Sequence, residues 1–160
     1  KKKWAPETAP IFDQKNCVFL SHSFLLPAGV DIVAKNSDSV AHNANFAGLT
    51  RNTPFNAAIA GTSESIVTVP LVEATPARVN CDLHSWMDAY VLVIDHPFAA
   101  TTNDKGEFSI KDIPFGTYDF RIWHERAKKA PSFISTESKI VIKAGQTTRL
   151  DLKFAPSEFK

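Results

Sequence analysis

A chain of 160 residues fits one domain or two small ones, and 44% apolar residues with twelve phenylalanines supply material for a core. Eighteen Lys and Arg nearly cancel 17 Asp and Glu, leaving a formal charge of +1, so neither nucleic acid nor an anionic membrane is expected as a partner. No apolar run approaches the roughly 20 residues of a membrane-spanning helix.

The opening "KKKWAPETAP" is basic but leads into no apolar signal core, so residues 1–13 read as a flexible leader, or as what remains after a signal was removed. Strands and turns follow. "FLLPAGVDIVAKNSDS" holds two short apolar runs parted by Pro27 and Gly29, then a polar turn at Asn36–Ser39. "SESIVTVP" alternates and stops at Pro70, "PARVNC" leads into a turn, and "AYVLVID" leads out of it. "NDKG" separates strand-like "FAATT" from "GEFSIKDI", "PFG" precedes "TYDFRIWHE", and "ESKIVIK", "AGQ" and "TTRLDLKFA" read as a final hairpin. β-Branched and aromatic residues fill these runs. Helix is conceivable only around 52–60 and 124–130. Turn signals every eight to twelve residues predict an all-β chain, a sandwich or barrel of antiparallel strands.

The chemistry lies in "VNCDLHSWMDAYVLV", residues 79–93, where a thiol, an imidazole and a thioether fall at Cys81, His84 and Met87. A thiolate, a neutral imidazole and a weak thioether favour a soft metal. A trigonal His₂Cys set with a long axial Met is the electron-transfer copper arrangement. That set needs a second His, and "NSDSVAHNANF" offers His42 on a loop after a strand. Singly, each of these residues reads more readily as core or surface; jointly, Cys-x2-His-x2-Met with an upstream "AHN" is far more specific.

Several residues stay open. Cys17 is a core thiol or the seat of an intermolecular or mixed disulfide, and a bond to Cys81 is excluded if Cys81 binds copper. His22, His96 and His124 offer a second metal site, with Glu125 beside His124. Against that, His96 and His124 sit at turns where an imidazole hydrogen-bonds backbone. Trp86, between His84 and Met87, either shields a metal or lies outside as a docking aromatic. No phosphate loop or nucleophile elbow is present, and adjacent Ser21 and His22 do not make a triad.

With these residues in view, Asn16 to Asp95 resembles the cupredoxins, the small blue-copper proteins. "AKNSDSVAHN" is similar to their first His-bearing loop, and "NCDLHSWM" to their Cys-His-Met loop with amicyanin-like spacing, although Leu83 and Ser85 stand where amicyanins generally carry prolines. The resemblance implies a Greek-key β-sandwich over 14–95 with one copper ion on His42, Cys81, His84 and Met87. It implies that Asn43 ties the two loops around the thiolate and that His84 is the electron port. It also implies redox partner proteins and a periplasmic or otherwise extracytoplasmic site of action. "TTNDKGEFSIKDIPFGTYDFRIWHE" resembles a transthyretin-like or carboxypeptidase-regulatory-like module, implying a second small β-sandwich over 96–156 that shares the run at Tyr90–Ile94. The expected function is one-electron transfer through a type 1 copper, not enzymatic catalysis. The rivals are copper delivery without a redox partner and a structural or carbohydrate-binding sandwich.

Overall fold

The computed structural model describes residues 5–129 and 133–160, so residues 1–4 of the expected leader and residue 130 of the stretch 124–130, with 131 and 132, lie outside the described residues. The strands are β1 (Ile11–Lys15), β2 (Val18–Phe19), β3 (Ser23–Pro27), β4 (Asp31–Asn36), β5 (His42–Asn45), β6 (Asn56–Ile59), β7 (Ser63–Thr68), β8 (Ala77–Asn80), β9 (Asp88–Ile94), β10 (Gly116–Ile122) and β11 (Ser135–Ile142). The chain divides into two units, Lys1–Ser109 and Ile110–Lys160.

The first unit is a β-sandwich. One sheet has the order β2-β1-β4-β7 and the other β3-β9-β8-β5-β6. Each sheet mixes directions, because β1 runs parallel to β4 and β3 runs parallel to β9. The alternation read from the sequence decides which side chains turn inward. Phe12 on β1 and Ile32 and Ala34 on β4 are buried from one sheet; Val79 on β8 and Ala89, Val91 and Val93 on β9 are buried from the other, and all join a single core. Phe12 stacks on Phe19 at 5.0 Å and meets Phe24 of the opposite sheet at 5.4 Å, so one ring fastens β1 to both layers. The β1–β2 hairpin turns on Asn16 and Cys17, both at positive φ (56° and 53°), the backbone of a two-residue hairpin turn.

Two expectations about local structure give way. The stretch 52–60 is not helical: β6 lies there and pairs antiparallel with β5, Ile59 opposite His42. A buried strand partner outweighs any local helical preference. Residues 124–129 form turns, joined to the C-terminus by an isolated bridge between Ala127 and Phe159.

In the second unit, β10 and β11 pair antiparallel, with a register shift between Tyr118 and Phe120. The Asp119 side chain accepts the N–H of Lys139 (φ 59°) at this bulge. "ESKIVIK" therefore finds its partner upstream in "TYDFRIW" and not in "TTRLDLKFA", where no strand forms. "FAATT" and "GEFSIKDI" are also without regular strand, although the turn between them forms: the Asn103 side chain accepts the N–H groups of Lys105 and Glu107. No helix among the described residues is long and apolar enough to cross a membrane.

Candidate metal centre

The centre is assembled at one end of the sandwich from the start of β5 and the loop between β8 and β9. The loop is closed by two main-chain bonds. The Cys81 N–H donates to the Met87 carbonyl at 3.1 Å and the Met87 N–H to the His84 carbonyl at 2.9 Å. These bonds turn Cys81 (2% exposed) and Met87 (1% exposed) into the core while Leu83 (62%) and Trp86 (64%) stay outside.

His42 and His84 meet through their Nδ1 atoms at 3.0 Å, and Cys81 Sγ lies 3.7 Å from His84 Nδ1. The donor atoms of His42, Cys81 and His84 all fall within 4.8 Å of one another. With zinc's bond lengths as a guide, about 2.0 Å to nitrogen and 2.3 Å to sulfur, two nitrogens on one ion lie at most about 4 Å apart. The two imidazole nitrogens, 3.0 Å apart, satisfy that limit. The three donors thus fit one soft or borderline metal, and the thioether of Met87, in the same loop, is buried as well.

The tautomer of His42 follows from its other nitrogen. Nε2 donates to Asp38 Oδ2 at 2.8 Å, which leaves Nδ1 with its lone pair toward His84 and Cys81. Asp38 also accepts the N–H groups of Asn16 at 2.7 Å and Cys17 at 2.9 Å. The Cys17 N–H, then His42, hold its carboxyl down to about 2. The loop carrying Asp38 is itself fixed. Asn36 Nδ2 donates to the carbonyls of Val40, Ile59 and Ala60, and Asn36 Oδ1 accepts the Asp38 N–H. Gly61 passes so close to Ser39 that a Cβ there would collide with the Ser39 carbonyl.

Asn43 joins the two ligand segments. Its Oδ1 accepts Cys81 Sγ–H at 3.3 Å and the Asp82 N–H at 2.9 Å, while its Nδ2 donates to Asp82 Oδ2 at 2.9 Å. Trp86 does two things. Its indole N–H donates to the Cys17 carbonyl at 2.9 Å, and its ring meets His84 edge to face at 5.2 Å. It is an exposed aromatic against the outer imidazole.

The other histidines hydrogen-bond backbone groups. His22 Nδ1 hydrogen-bonds the Asp88 carbonyl at 3.1 Å, and the Nδ1 atoms of His96 and His124 accept the N–H groups of Phe98 and Arg126. Cys17 is free and half-buried at the hairpin turn, packed against the core, and its thiol lies within ligand range of Asp38 and His42. Sequence reading missed Asp38 and Asp82. Each lies within four residues of a metal-ligand candidate, but which acid a folded loop brings to an imidazole or an amide cannot be read from spacing.

No family model and no curated protein matches the sequence. Among solved structures the chain is similar to amicyanins. One is a reduced mutant of amicyanin (18% identity, 56% of this chain and 86% of that one, TM-score 0.47). Another is a Cu(I) form of a mutant of amicyanin (17% identity, the same coverages, TM-score 0.47). A third is amicyanin from Paracoccus versutus (18% identity, 56% and 85%, TM-score 0.44). At these values the likeness is one of outline, and the reading of the site stands on its own distances.

Proposed function

We propose that this chain is a one-electron carrier of cupredoxin type, built around a mononuclear type 1 copper site. The observation that carries the reading is the convergence of His42 Nδ1, His84 Nδ1 and Cys81 Sγ at a largely buried spot, with His42 oriented by Asp38. Copper bound there supplies a one-electron couple between Cu(I) and Cu(II). His42, His84 and Cys81 would hold it as the principal donors, with Met87 as a weaker thioether donor.

The surrounding residues suit such a task. Core packing and the closed loop keep Cys81 and Met87 in place, so the donor set has little freedom to rearrange between oxidation states. Asn43 anchors the thiolate loop to the β5 strand. His84, half-buried beneath exposed Trp86 and near exposed Leu83, is the route by which an electron reaches a redox partner protein. On this reading residues 14–95 are the copper domain, and a transthyretin-like module lies within 96–156, its strands β10 and β11 in the unit that begins at Ile110. The protein works outside the cytoplasm, as a carrier and not an enzyme.

Addition of copper(II) to the metal-free protein tests this by visible absorption. The expected result is an intense thiolate-to-copper band, with blue or green colour, that is absent in Cys81→Ser. Binding of copper(II) with only weak d–d absorption would overturn the blue-site assignment, and a colourless Cu(I)-only protein would favour delivery over electron transfer.

A further inference from the structure

Between Cys81 and His84 lies a carboxylate whose surroundings are unusual. Asp82 Oδ1 accepts the side-chain amides of Asn45 at 3.0 Å and Asn80 at 2.9 Å; Oδ2 accepts those of Asn43 at 2.9 Å, Asn45 at 3.1 Å and Asn56 at 2.7 Å. The four asparagines come from three neighbouring strands. Asn80 on β8 is in register with Asn45 on β5, and Asn45 with Asn56 on β6, which makes a row across the sheet. Asn43, two residues from Asn45, falls on the same face. Among the described residues no ion pair includes Asp82.

The choice of partners matters chemically. One arginine would grip a carboxylate in a bidentate fork and cancel its charge. Four neutral amides hold it by hydrogen bonds and leave the charge in place. The grip also reaches the thiol, because Asn43 bridges Asp82 Oδ2 and Cys81 Sγ through the two ends of one amide.

We propose that Asp82 is a positioning residue of the centre: held by Asn43, Asn45, Asn56 and Asn80, it seats the Cys81 loop on the sheet and keeps an uncancelled negative charge beside the thiolate, biasing bound copper toward Cu(II). This rests on the copper reading above. Cu(II) carries one more positive charge than Cu(I), so a fixed anion nearby favours the oxidised form and lowers the reduction potential.

The test uses the full chain. Asp82→Asn removes the charge at nearly constant shape. Asn80→Lys keeps the carboxylate and places a cation against it. Asn45→Ala loosens the grip and keeps the charge. Each is measured for melting of the metal-free protein, copper release to a chelator, and reduction potential.

Asp82→Asn and Asn80→Lys should both weaken the preference for Cu(II) over Cu(I), by about three- to tenfold. Tenfold corresponds to about 59 mV upward for a one-electron couple. Asn45→Ala should speed copper release severalfold with little change in that preference. If both charge variants keep the wild-type preference within about twofold while melting lower, Asp82 is a fold-stabilising residue only and the electrostatic part is overturned. Collapse of both metal-free variants overturns it in the same way. Failure of the wild-type chain to take up copper overturns the copper reading itself, a distinct result.

Discussion

At the scale of single residues, groups outside the proposed donor set matter to the candidate centre. Asp38 selects the His42 tautomer by accepting from Nε2 at 2.8 Å. Partners of this kind are typically worth about 10–100-fold in metal affinity. Asp38→Ala is therefore expected to weaken copper binding by about that factor, measured by competition with a chelator of known affinity, while Cys81 still gives its charge-transfer band. An unchanged affinity would mean that packing alone orients the ring. Met87 has a different role. On the copper reading it is a weaker donor that would adjust the couple without being needed to hold the ion. Met87→Leu should keep both copper and colour and raise the reduction potential. Loss of copper in that variant would show Met87 to be a principal ligand.

At the scale of elements, the loop between β5 and β6 is stitched to the chain by one acid. The Glu73 carboxylate, 6% exposed, accepts from the backbone N–H groups of Thr50, Arg51 and Asn52, from Thr50 Oγ1 and from Asn52 Nδ2. Burial pushes the carboxyl up, but the hydrogen bonds from Thr50, Asn52 and Arg51 outweigh it, so it ends below its ordinary value of 4.5. A carboxyl lowered by folding contributes its full stabilisation above the unfolded value and loses it as pH falls through the folded one. Glu73→Gln should then cost about 1–3 kcal/mol near neutral pH, from buried donors left poorly paired. The gap between variant and wild type should narrow below pH 4.5. Denaturant melts at neutral and acidic pH would show this; a gap independent of pH would assign the loss to packing.

At the scale of the whole molecule, both sheets of the sandwich are complete by the end of β9 at Ile94, and the first unit extends to Ser109. Every residue of the proposed centre and every member of the main core lies within that unit. A chain of residues 1–109 should consequently fold alone and give the absorption spectrum of the full protein on copper loading. An aggregated fragment, or one with a shifted band, would show that the unit beginning at Ile110 supports the site. Truncation right after Asp95 is the harsher cut. Residues 96–109 belong to the first unit and carry the ordered turn around Asn103.

Much of this was written in short-range pattern. Alternating apolar residues on β4 and β9 specify strands with one buried face, because the side-chain period of a strand is two whatever it pairs with. The spacing of Cys81, His84 and Met87 marks the candidate metal loop, because a tight turn brings residues three apart together. Pairing across the sheets is not local, and only the tertiary structure decided it. "ESKIVIK" could pair before or after itself and joined "TYDFRIW"; residues 56–59 became a strand because β5 offered an edge. The same holds for the surroundings of the centre. Asp38 reaches His42, and Asn80, Asn45 and Asn56 line up under Asp82, through register and loop closure between segments up to 39 residues apart. A sequence names such residues, but their meeting depends on which strands become neighbours, and that is settled by burial of the whole core.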